Sequence, residues 1–139
     1  MSAIEVQHYL SRARDFLEGM RRLRDDRSPL GFSSALLGIH CAISYSDALR
    51  SGLGREDLSS DDHQQASDDL KKLLKSRKFE TAQGADRLGK LISKKNRIEY
   101  KAVTIRVEEI EEIMKDTERF ALWAEGAGRN LGIEGWRNA

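Results

Sequence analysis

The stretch PLGFSSALLGIHCAISYSDALRSGLG, residues 29–54, decides how this chain folds. Leu30, Phe32, Leu36, Leu37, Ile39, Cys41, Ala42, Ile43, Tyr45, Ala48, Leu49 and Leu53 fall on nearly every side of a helix drawn through it. A helix that is apolar all round has to be covered all round, so this one is expected at the centre with the others against it. Ser28, whose hydroxyl can accept from an unpaired backbone N–H, marks its start together with Pro29, which gives up a donor that had no partner at the first helical position. Gly52 and Gly54 mark its stop.

Upstream, residues 3–24 place Val6, Leu10, Ala13, Leu17 and Met20 on one helical stripe, which Tyr9, Phe16 and Leu23 widen. The arginines of this segment alternate with acids and read as a solvated face. Downstream, an acidic, Ser-rich connection (REDLSSDD, 55–62) leads to a third helix over 62–76, capped by Ser60 or Asp61 and carrying Ala66, Leu70, Leu73 and Leu74. A fourth over 81–101 buries Ala85, Leu88, Leu91 and Ile92. A fifth over 106–125, capped by Thr104, sets Val107, Ile110, Met114, Thr117, Ala121 and Ala124 on one stripe with Ile113, Phe120 and Trp123 beside it.

Five helices joined by short connections imply an all-α, antiparallel up-and-down bundle, one domain over 1–125. The remaining GAGRNLGIEGWRNA, residues 126–139, contains Gly126, Gly128, Gly132 and Gly135, and each glycine inside a helix costs about 1 kcal/mol relative to alanine. A glycine-rich tail is expected there instead of a sixth helix. Leu131, Ile133 and Trp136 leave open whether it docks on the bundle, docks on a second subunit or stays free.

Composition narrows the function. The 139 residues suit a single domain, and 34% charged residues without strand-like alternation favour helices. No apolar run reaches the roughly 18–20 residues of a membrane span, and the N-terminus lacks the apolar core of a signal peptide. Cys41 is the only cysteine, so no internal disulfide can form, and a cytoplasmic location without membrane contact is expected. His8, His40 and His63 share no ligand spacing, so neither a metal nor another cofactor is expected. His40, inside the apolar helix, reads as a core histidine bonded to a neighbour. A glycine-rich phosphate loop and a nucleophile elbow are both missing.

The net charge is +1, so any charge argument is local. From Leu70 to Lys101 eleven bases face three acids, a band of +8 between two acidic flanks. Such a band either binds phosphate backbones or pairs with the neighbouring acids within the monomer or across a dimer.

Two segments carry a resemblance. HCAISYSDAL (40–49) followed by DDHQQA (61–66), and LGKLISKKNRIEY (88–100) after a leucine-bearing helix, resemble the HEPN family of small helical bundles (higher eukaryotes and prokaryotes nucleotide-binding domain). The resemblance covers roughly residues 3–125. It implies a bundle of four or five helices, usually a homodimer whose last long helices meet around a cleft. Ribonucleases of that family place an Arg, often followed by a polar residue, a few positions before a His; the Arg steadies phosphate charge and the His does acid–base or orienting work while the RNA 2′-OH attacks. Here Lys95 and Asn96 stand at the Arg-polar positions and Tyr100 stands at the His position. A lysine holds phosphate only as a point charge, and a tyrosine with a pKa near 10 is a poor base at neutral pH.

The reading that follows is a module binding RNA or nucleotide, or regulating a partner protein such as a nucleotidyltransferase, without efficient catalysis. Lys94, Lys95, Asn96, Arg97 and Tyr100 are its expected ligand-facing residues, supported by Asp47 on the central helix. The plainer expectation for the same residues is a Tyr100–Asp47 hydrogen bond that holds two helices in register, with Lys95 and Arg97 on the surface. Two alternatives stand beside it: a divergent metal-independent ribonuclease of toxin type, and a homodimeric scaffold with no nucleic-acid ligand.

Overall fold

The computed structural model describes residues 3–25, 31–55, 58, 63–79, 82–100 and 105–136, apart from the side chains of Asp25, Gln64, Ala82 and Tyr100. It is all helical among these residues: α1 (Ala3–Asp25), α2 (Gly31–Gly52), α3 (His63–Ser76), α4 (Ala82–Tyr100) and α5 (Val107–Asn130). Ser28, Pro29, Ser60, Asp61 and Thr104, the expected helix starts, lie outside the described residues. The residue that caps α5 is Arg106, in an extended conformation and without a side-chain bond to the helix.

The expected central helix is α2. Residues 41–46 are all buried, and six consecutive residues cover more than one full turn of 3.6, so no side of α2 faces water there. Every other helix touches it. Gly19 of α1 lies against Leu37, Gly38 lies against Thr117 of α5, Arg50 binds Asp69 of α3, and His40 approaches Glu99 of α4. The α1 stripe Val6, Leu10, Ala13, Leu17 and Met20 is buried as its period demands, and so are Ala85, Leu88, Leu91 and Ile92 of α4. Val107 departs from its expected stripe and is 66% exposed at the first turn of α5.

The order of helix senses also departs from strict alternation. Gly31 packs on Ile110, Gly38 on Thr117, Tyr45 bonds Glu125 and Gly52 packs on Ile133, so α5 runs parallel to α2. Meanwhile α1 opposes α2, α3 opposes α4 and α4 opposes α5, as the pairs Phe16 with His40, Gly19 with Leu37, Ser67 with Gly89, Lys71 with Asp86, Arg97 with Glu109, and Gly84 with Trp123 require. The alternation therefore breaks between α2 and α3. Gly31, Gly38 and Gly52 stand along one side of α2, at multiples of seven residues. Their missing side chains form a groove that α5 follows in the same direction.

Helix ends explain the turns. After α2, Arg55 N–H donates to Arg50 O and Gly54 N–H to Ser51 O, with Gly54 at φ +109°. This is the Schellman closure, which needs a left-handed residue. After α3 the same pair of bonds forms around Lys78 at φ 55°, a position where a residue with a β-carbon is strained.

The expected break at 126 is corrected. α5 continues to Asn130 through Gly126 and Gly128. A β-carbon at Gly128 would fall inside the Trp136 ring, so that glycine is the seat of the indole. Gly135, at φ +89°, lies against the Ala3 carbonyl, and a β-carbon there would sit 2.5 Å from its oxygen. Trp136 and Ile133 are buried at 1% and 8% exposure. Ile133 and Trp136 thus belong to the core and dock residues 131–136 on the bundle between the start of α1 and the end of α2.

Candidate functional site

The residues proposed from sequence sit on the C-terminal half of α4, and glutamates already hold most of their charges. Lys95 Nζ lies 2.5 Å from Glu99 Oε2 one turn on. Arg97 donates to both oxygens of Glu109, at 2.8 and 3.4 Å, and Lys94 lies 3.7 Å from Glu112. Two of these glutamates come from α5, whose acidic first turns run antiparallel beside α4. Asn96 is exposed. Asp47 accepts from Arg50 at 3.4 Å. The Tyr100 side chain lies outside the described residues, so its bond to Asp47 is left as an expectation.

One partner of this set was missed. His40 Nε2 stands 3.7 Å from Glu99 Oε1, beyond hydrogen-bond reach, and its ring is tilted on Phe16 at 5.7 Å between centroids. The side chain is 37% exposed, so His40 is a boundary residue between α1, α2 and α4, and its core reading is corrected. Burial and the neighbouring Lys95 charge lower its pKa, with Glu99 offsetting part of the effect.

A second polar cluster fills the seam of α1, α2 and α5. Arg14 donates to Glu125 through Nε (2.8 Å) and Nη2 (2.9 Å), and the Tyr45 hydroxyl donates to Glu125 Oε2 at 2.7 Å. Two turns along, Arg21 forks onto Glu118 at 2.6 and 2.9 Å. Together with Leu17, Ala121 and Leu122 these residues line an open groove of about 640 Å³. Desolvation raises and the bonds from Arg14 and Tyr45 lower the Glu125 pKa, with a net fall; Glu118 falls chiefly through its bond to Arg21. Burial and the bond to Glu125 push the Tyr45 phenol up. The charges in this groove are matched among themselves.

These shifts set an acid limb. A carboxylate held below its ordinary 4.5 stabilises the fold above that value and loses the contribution as pH falls through it. A histidine held below 6.5 acts in a higher window: the unfolded chain takes the proton first, so stability already declines as pH falls below 6.5. Urea midpoints measured from pH 8 to 3 are expected to fall in two steps. Glu125→Gln should flatten the lower one and His40→Gln the upper.

The third feature is a charge surplus at the α3–α4 hairpin. Lys71 pairs with Asp86 across the two helices. Lys72, Lys75, Arg77, Lys78, Arg87 and Lys90 make no ion pair among the described residues, and all except the half-buried Arg87 are exposed. The +8 band is therefore divided. Among the described residues its C-terminal part, Lys94 to Arg97, is neutralised within the monomer, and its hairpin part, Lys71 apart, is not.

Among the described residues no three His, Cys, Asp or Glu side chains come together as metal ligands, and no helix is long and apolar enough to cross a membrane. Compared with protein-family models, characterised proteins and solved structures, the chain matches none.

Proposed function

We infer that this chain is a HEPN-like helical module that binds RNA or nucleotide phosphates at the end of its α3–α4 hairpin, without efficient catalysis. The observation that carries the reading is the set of six bases there without an ion-pair partner among the described residues, next to a set at 94–97 that already has its glutamates. A phosphate reaching Lys95 or Arg97 has to displace an acid, whereas one reaching Lys72 or Lys75 displaces only water and counterions. The plainer account is that these bases complement the negative end of the α3 dipole and stay solvated.

Binding of labelled RNA separates the two. Lys72→Glu with Lys75→Glu and Lys90→Glu is expected to abolish the shift at low salt, while Lys95→Ala keeps most of it; equal loss in both variants contradicts the reading. RNA incubated with the protein in EDTA is expected to stay intact, and cleavage that disappears with Lys95→Ala and Tyr100→Phe would assign the ribonuclease alternative instead.

A specific observation favours self-association alongside binding. Leu122 is 77% exposed on α5, and Gly126, one turn on, has open space where a β-carbon would stand. Among the described residues nothing packs against this helix glycine. A second copy laid on this face supplies a neighbour. Sedimentation is expected to show a dimer that Leu122→Arg dissociates, and a monomeric wild type removes the proposal.

A further inference from the structure

Resting on that reading of the hairpin, we propose that its ligand is a duplex recognised by backbone charge alone, in preference to a single strand. Lys72 and Lys75 are exposed on α3, away from the buried Ala66, Leu70 and Leu74; Arg77 and Lys78 follow in the turn, and Arg87 and Lys90 come from α4. With Ser67 level with Gly89 and Lys71 reaching Asp86, a rise of about 1.5 Å per residue and about 8–10 Å between packed helices spread the six charges over roughly 20 Å of the hairpin. Asp86 is held by Lys71, and Asp68 is exposed one turn before Lys72, so the positive field is densest at the turn itself.

What this surface lacks decides the ligand class. A single strand offsets its lower charge density by stacking bases on exposed rings, at about 1–3 kcal/mol per base. The rings nearest the hairpin are committed elsewhere. Phe79 is half-buried and packed on the core, and Trp123 lies over Gly84 with its centroid 5.5 Å from that of Phe120. A duplex asks for no ring and offers one charge per about 1.7 Å of axis, twice the density of one strand. Four of the six bases are lysines, point charges without the fork that reads guanine edges, so the surface has little means of telling one sequence from another.

The test is fluorescence anisotropy of the full chain with labelled RNA duplexes of two unrelated sequences and with oligo(U) and oligo(A) single strands, titrated with salt. The expected result is equal affinity for the two duplexes, tighter than for either single strand. Six phosphate contacts predict a loss of about 10³-fold between 50 and 200 mM salt, a log–log slope near −5. Lys72→Glu with Lys75→Glu is expected to reduce that slope by about 2, with circular dichroism confirming that the fold is kept. Single strands bound as tightly as duplexes, and still weakened by the charge reversals, would overturn the duplex preference while leaving the phosphate-binding reading in place. Absence of binding to any of the four at low salt overturns both.

Discussion

Replacing Arg50 by alanine is expected to lower the unfolding free energy by about 3 kcal/mol, the lower end of the range for breaking a buried ion pair. Arg50 is 2% exposed, and its guanidinium reaches Asp69 of α3 at 2.7 Å and Asp47 at 3.4 Å. Asp69, which Arg55 also approaches at 3.2 Å, keeps some access to water at 23% exposure. That access is why the lower end of the range applies. The expected consequence reaches beyond stability, because the contact ties α3 to α2 at the point where the helix order stops alternating. Arg50→Lys should recover little, since a single ammonium cannot fork between two carboxylates. Chemical denaturation followed by circular dichroism gives the number, and a loss below about 1 kcal/mol would place this cluster with ordinary surface pairs.

The second large effect is expected at the C-terminal end. Trp136→Ala empties a site that the indole fills at 1% exposure and should cost about 3 kcal/mol. Gly128→Ala should cost a similar amount by a different route, because its methyl group occupies the position of the ring and pushes the indole out. If both act through this one contact, the double variant is expected to be little worse than the poorer single one. Full additivity would show that the glycine matters for another reason. Gly126→Ala, where a β-carbon meets nothing, serves as the control and should be stabilising by up to about 1 kcal/mol in the monomer.

These two positions also show where reading by sequence stops. The stripes of α1 and α4, and the burial of α2 on every side, follow from residue type and period, which are local properties. Arg50 has the same local signature as any base near a helix C-terminus. Its burial depends on Asp69, nineteen residues away on another helix. The tail failed for a related reason. Glycines at 126 and 128 carry a real helix penalty, and the docking of Trp136 on Gly128, which no local pattern announces, works against it.

The parallel pairing of α2 with α5 did leave a trace. Gly31, Gly38 and Gly52 stand on one line of the central helix, and that line, read as a groove for another backbone, points to a close partner although not to its direction. For the candidate site, Glu99 lies four residues after Lys95, the spacing at which helical side chains meet. Glu109 and Glu112 were visible only as an acidic flank, because their registration against Arg97 and Lys94 depends on how α4 and α5 pack. The division of the +8 band into a neutralised half and an open half emerged from that packing.

Amide chemical-shift mapping of the labelled protein, titrated with a short RNA duplex at low salt, bears most directly on where phosphate binds. Shifts confined to residues 72–78 and 87–90, reversed by added salt, are the predicted result. Shifts centred instead on residues 94–97 and His40, with the hairpin unmoved, would contradict it.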